Sequence, residues 1–275
     1  MLNLMYITKR PEVAQIAETA GINWIFVDME FIGKDSRQGG LDTVKNHHTI
    51  DDIRIIKNAL NGAEVMVRIN PIHDELPDYC SSMEEINGAI AAGADILMLP
   101  YFHTVETVKE FIRLVGGRVK TCLLLETPEA AILIDDILQV PGIDMIHIGL
   151  NDMHLALGRK FMFELLADGT VDKLAAKIKQ KNIPFGFGGI ATLDGGALSG
   201  SMVLKEHYRL GSSMVIVSRS FCNTDIVTDL DEIRSIFNEG VKAIRDLEES
   251  IKDESETYFE TNHIAVVETV NRIIQ

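Results

Sequence analysis

The stretch VKTCLLLETPEAA, Val119 to Ala131, decides how the chain is read. Its apolar run, Cys122 to Leu125, stops on Glu126, and Pro128 follows two residues later. A short apolar run with such an ending reads as a strand buried on both faces, the pattern of parallel βα units. A carboxylate at the end of that strand either caps the next element or does chemistry. A second run, IDMIHIGLNDMH from Ile143 to His154, ends in the same way on Asn151 and Asp152.

The same unit recurs on both sides. LNLMYIT (2–8), NWIFVD (23–28), EVMVRIN (64–70) and DILMLP (95–100) precede it, and DMIHIG (144–149), PFGFG (184–188) and MVIVS (214–218) follow. Amphipathic segments such as PEVAQIAETAG, SMEEINGAIAAG and TVETVKEFIRLV separate them, several opening on Thr or Ser and closing on Gly or Asn. Eight alternations predict an α/β chain closed into a single (β/α)8 TIM barrel, with a doubly wound sheet as the competing arrangement. The barrel domain is expected over residues 1–252, with an extra C-terminal helical segment over 253–275. In that segment HIAVVETVNRII is apolar on one face, which either meets another subunit or closes the bottom of the barrel.

The chain has 275 residues, 46% of them hydrophobic and 24% charged, enough for one barrel-sized domain. A net charge of −15 argues against a nucleic-acid surface, so anionic substrates must be held by particular cations or by a metal. The N-terminus lacks the pattern of a secretory signal and no apolar window reaches the length of a membrane span, which makes the expected location cytoplasmic, away from membranes. Cys80, Cys122 and Cys222 are widely spaced, suggesting neither a disulfide framework nor a zinc cluster; Cys122 reads as core.

In a barrel, residues just after the strands converge on one mouth. Here they are Asp28 and Glu30, Arg68 and Asn70, Glu126, and Asn151 with Asp152. Carboxylates gathered at one point repel unless a cation sits among them. Oxygen ligands without clustered His or Cys favour a divalent metal, Mg²⁺ or Mn²⁺. Glu126 and Asp152 are the expected direct ligands, with Glu30 holding a metal-bound water. The alternative gives Asp152 to the N-cap of the following helix and pairs Glu126 with Arg68.

VDME, VRIN, AGADILMLP, LLLETPEA and IHIGLNDMHLALG, in this order, resemble the successive strand motifs of the HpcH/HpaI aldolase and citrate lyase family, over roughly Gly21 to Arg219. The resemblance implies a class II aldolase-like carbon–carbon lyase that binds pyruvate or another 2-oxo acid as its enolate at a divalent metal. It assigns the metal to Glu126 and Asp152 and substrate binding to Arg68, and implies a homo-oligomer, a trimer or hexamer. Arg68 then suits the keto oxygen, while backbone N–H groups around Asn151 and Asp152 suit the substrate carboxylate.

Three departures bear on the reaction. The His that family aldolases carry after D-x-E is Phe31 here, so His47 or His48 is expected to serve as acid/base, with His48 favoured. The acid that partners that His is replaced by Ala91 or Ala92, and the Gln before the metal Glu by Leu124. The loop GKDSRQGG puts Lys34, Asp35, Arg37 and Gln38 over the mouth with Gly39 and Gly40 as hinges, which suits a sugar-like aldehyde partner. The Gly-rich stretch PFGFGGIATLDGG either binds phosphate together with Ser218 and Arg219 or relieves crowding in the barrel. The leading reading is therefore cleavage or formation of a 4-hydroxy-2-oxo acid. Its rivals are oxaloacetate-type decarboxylation, citryl- or malyl-thioester cleavage, and a non-catalytic scaffold.

Overall fold

The computed structural model describes residues 1–34 and 48–275. Among them eight parallel strands run in chain order around a closed barrel: β1 Asn3–Ile7, β2 Trp24–Asp28, β3 Glu64–Arg68, β4 Ile96–Leu99, β5 Lys120–Leu125, β6 Met145–Ile148, β7 Phe185–Ile190 and β8 Met214–Val217. Every expected apolar run forms one of them. The barrel closes through β1 and β8, in register from Asn3 opposite Met214 to Tyr6 opposite Val217, and this pairing excludes the doubly wound sheet.

The described helices are α1 Pro11–Ala20, α2 Ile50–Ala59, α3 Ser82–Ala92, α4 Val105–Val115, α5 Pro128–Ile132, α6 Ile134–Ile137, α7 Leu150–Ala156, α8 Glu164–Ala167, α9 Thr170–Gln180, α10 Gly200–Leu210, α11 Leu230–Ile251 and α12 Glu256–Ile274. Their ends follow local chemistry. Thr49 with Asp52, and Ser81 with Glu84, form reciprocal capping boxes at the starts of α2 and α3. Thr127 caps α5, with Pro128 at its first turn, so the abrupt stop after Leu125 is where strand hands over to helix.

The core has two shells. One lies between the barrel wall and the helices; the other fills the barrel with Met5, Phe26, Met66, Met98, Cys122 and Leu124 among others. Side chains alternate across a strand, so one inward row reads Trp24, Phe26, Asp28 on β2 and another Cys122, Leu124, then Glu126 beyond β5. The apolar members pack inside the barrel, and the final polar ones face its C-terminal mouth.

The glycines of PFGFGG lie within β7 itself. A Cβ at Gly186 would sit 2.2 Å from the Met214 carbonyl oxygen, so this position admits no side chain. The crowding explanation holds for Gly186. At the C-terminus, α11 packs on α1, and α12 packs on α10 and α8 of its own chain. Asn262 Nδ2 donates to Met202 O and to Glu206, fixing α12 against α10. No helix among the described residues is long and apolar enough to cross a membrane.

Candidate active site

The C-terminal mouth holds a cleft of about 660 Å³, floored by Phe26, Met98 and Leu124 and lined by Asp28, Arg68, Glu126, Asn151 and Asp152. Residues up to 124 positions apart in sequence meet here because each follows its strand. The position is the one where barrel folds carry their chemistry.

On the β2–β3 side four charges interlock. Arg68 donates from Nε to Asp28 Oδ1 and from Nη2 to Asp28 Oδ2, both at 2.8 Å, a bidentate pair. Its Nη1 lies 3.3 Å from Glu30 Oε2. Lys34 Nζ sits 3.1 Å from Asp28 Oδ2 and 3.5 Å from Glu30 Oε2. Two cations and two carboxylates thus neutralise one another. Burial opposes charge on Arg68, but Asp28 and Glu30 outweigh it, and Glu126 adds to them, holding the guanidinium well above its ordinary pKa.

This arrangement revises two expectations. Glu30 is 2% exposed, is not part of the cleft lining, and faces Lys34 and Arg68, so the geometry gives it the role of an ion-pair partner in place of a metal-water ligand. Lys34, read as part of a loop over the mouth, lines the cleft at 5% exposure, and the rest of that loop reading, Asp35, Arg37, Gln38, Gly39 and Gly40, lies outside the described residues. Asn70 supports the same corner: its Oδ1 accepts from the backbone N–H of Phe31 and of Ile32, both at 2.9 Å.

On the β5–β6 side Glu126, 5% exposed, accepts at Oε1 from the Tyr101 backbone N–H at 3.0 Å. Tyr101 has φ +45°, a left-handed conformation that costs a bulky residue energy and aims its N–H at the carboxylate. Gly149 gives Glu126 its room, since a Cβ there would lie 2.7 Å from Glu126 Cβ and 3.0 Å from its Oε2. The N-cap of α7 is Gly149, without a side-chain cap, and Asp152 stands in the helix's first turn, where Asn151 Nδ2 donates to its Oδ1 at 3.2 Å. The N-cap alternative for Asp152 is therefore excluded. Among the described residues no three His, Cys, Asp or Glu side chains form a metal-binding group.

Of the two loop histidines, His47 lies outside the described residues. His48 is 8% exposed and its Nδ1 accepts from the Asp28 backbone N–H at 2.9 Å. That bond occupies the Nδ1 lone pair, so the neutral ring carries its proton on Nε2. Burial lowers its pKa to about 4, against the opposing pull of Asp28 and Asp52. His48 is thus a neutral hydrogen-bond donor at pH 7, and the proton-acceptor role expected of it does not fit this geometry.

Some residues escaped the sequence reading. His147, inward on β6, bonds Gly188 O through Nε2 at 3.0 Å and lines the cleft; the alternation Met145, His147 was the available signal. Lys9 and Arg10 also line the cleft, as does Arg219, which the sequence offers with Ser218 for phosphate. Lys9 and Arg10 directly follow the run ending at Thr8, the same kind of position as Glu30 after the run ending at Asp28, but the end of β1 was not among the strand ends singled out.

The model of the family described as HpcH/HpaI aldolase/citrate lyase matches residues 3–162, which include Asp28, Arg68, Glu126 and Asp152. Comparison with curated proteins gives no match. Among solved structures, the HpcH/HpaI aldolase from Desulfitobacterium hafniense DCB-2 superposes with a TM-score of 0.61 at 18% identity, covering 89% of this chain and 93% of that one. An HpcH/HpaI aldolase/citrate lyase family protein from Burkholderia cenocepacia J2315 gives 0.60 at 16%, covering 85% and 95%. The citrate synthase SbnG gives 0.59 at 15%, covering 84% and 92%. At such identities these structures speak for the fold alone.

Proposed function

The chain belongs to the HpcH/HpaI aldolase/citrate lyase family, and from this premise we propose that it is a divalent-metal-dependent carbon–carbon lyase that cleaves or forms a 4-hydroxy-2-oxo acid through a pyruvate-like enolate. The observation that carries the reading is that Glu126, just after β5, and Asp152, in the first turn of the helix after β6, line one cleft together with Arg68. Two carboxylates fit Mg²⁺ or Mn²⁺, which keep open positions for water and substrate oxygens. When bound there, the cation supplies a Lewis acid for the charge that develops on a keto oxygen.

The remaining work falls to the chain's own groups. Arg68 offers N–H donors to the 2-oxo acid, and the bidentate grip of Asp28 fixes the plane of its guanidinium before substrate arrives. Glu30 and Lys34 complete that ion-pair network. Phe26, Met98 and Leu124 form an apolar floor, a low-dielectric surface that strengthens polar contacts above it. His48, through Nε2–H, suits hydrogen-bond donation to an oxygen, and His47 is retained as the proposed proton acceptor.

The test is exchange of the pyruvate methyl protons with D2O, followed by NMR with added Mg²⁺. Exchange that needs the metal, and that falls by about 10²-fold or more in Glu126→Gln and Asp152→Asn, supports the reading. Metal-independent exchange, or none in the wild type, contradicts it.

A further inference from the structure

The Glu126–Asp152 side of the cleft faces an opposite wall of different character. In a ring of eight strands taken in chain order, β5 stands across from β1, and β1 pairs with β8. β1 and β8 pair side by side as far as Tyr6 opposite Val217, so Lys9 and Arg10, which follow β1, and Arg219, which follows β8, leave adjacent strands at the same mouth. All three line the cleft, with Ser218, Ser220 and the backbone of Gly188 and Gly189 beside them. In a chain of net charge −15 this arc is cationic: among the lining residues of these two segments, Asp225 is the carboxylate set against three cations.

The cations are not consumed by structure. Arg10 gives one N–H to Thr224 O at 3.3 Å, and neither Lys9 nor Arg219 forms an ion pair with a carboxylate among the described residues. Ser218 Oγ and Ser220 Oγ stand 2.7 Å apart, two hydroxyls on one turn. An excess of two positive charges, with hydroxyls and backbone beside them, matches a tetrahedral dianion with several acceptor oxygens better than a single planar carboxylate.

We propose that this arc is the subsite for a phosphate ester on the aldehyde partner, so that the substrate spans the mouth from the 2-oxo acid at Arg68, Glu126 and Asp152 to a phosphoryl group at Lys9, Arg10 and Arg219. The inference rests on the lyase reading above. In the synthetic direction C3 of pyruvate loses a proton and bonds the aldehyde carbon, the aldehyde oxygen gains a proton, and the phosphate ester is untouched.

The experiment compares kcat/KM for condensation of pyruvate with glyceraldehyde 3-phosphate, with glyceraldehyde and with succinic semialdehyde, in the wild type and in the double variant Lys9→Gln, Arg219→Gln. The wild type should favour the phosphorylated aldehyde over its neutral analogue by about 10²-fold, and the variant should lose most of that preference. Equal use of the two glyceraldehydes, a preference for succinic semialdehyde, or a phosphate preference that survives in the variant would overturn the subsite. Pyruvate methyl exchange needs no aldehyde and reads the lyase function separately. Exchange without phosphate preference sinks the subsite alone, whereas absence of exchange sinks the lyase reading.

Discussion

Gly149 has an ordinary φ, so its role is space: a methyl group there collides with Glu126 at Cβ and at Oε2. Gly149→Ala should cost about 1–3 kcal/mol in urea unfolding and should lower Mg²⁺ affinity about tenfold or more by displacing the carboxylate. Unchanged metal affinity would separate Glu126 from the metal. Arg68 allows a second test at this scale. Lysine keeps the charge but cannot reproduce the two 2.8 Å bonds to Asp28, so Arg68→Lys should lower kcat about 10²-fold while the far-UV circular dichroism stays the same. Full activity would remove the guanidinium from the mechanism. The residue types at the site were legible because strand ends converge. The partnerships were not: whether Glu30 meets a metal or Lys34 depends on how the chain turns after β2, and local pattern carries no information on that.

At the level of elements, the strands were legible because a parallel barrel buries each on both faces and leaves short apolar runs. The caps were equally plain, as the Thr49–Asp52 box shows. Thr49→Ala should cost about 1 kcal/mol, measured as a shift of the urea midpoint, because two bonds at the start of α2 are lost together. A neutral result would mean that the start of α2 is held by packing alone. β7 was legible as a strand over 184–188, but the sequence leaves the role of its glycines open between phosphate binding and crowding. The missing side chain of Gly186 lets the Met214 backbone approach, and the strand runs on through Gly189 to Ile190. Gly186→Ala should therefore destabilise more than Gly149→Ala, because backbone cannot move aside as a carboxylate can.

For the whole molecule, buried histidines set a pH dependence. Burial lowers both His48 and His147 to about 4 from the ordinary 6.5. Between roughly pH 6.5 and 4 the unfolded chain binds protons that the folded chain refuses, so stability falls as pH falls through that window. From pH 7 to pH 5 each histidine should remove about 2 kcal/mol, seen by urea denaturation at the two values. A flat profile would mean that these rings are already protonated in the fold. The barrel as a whole was legible from eight repeats, whereas the charge pattern of its mouth was not. Lys9 and Arg219 come to line one cleft only once β1 closes on β8. The central claim is that Glu126 and Asp152 together hold one divalent cation where a 2-oxo acid reaches both it and Arg68. Crystals soaked with Mn²⁺ and oxalate test it most directly: an anomalous peak touching both carboxylates, with oxalate on its open side, is the expected result, and a peak elsewhere or no peak would contradict it.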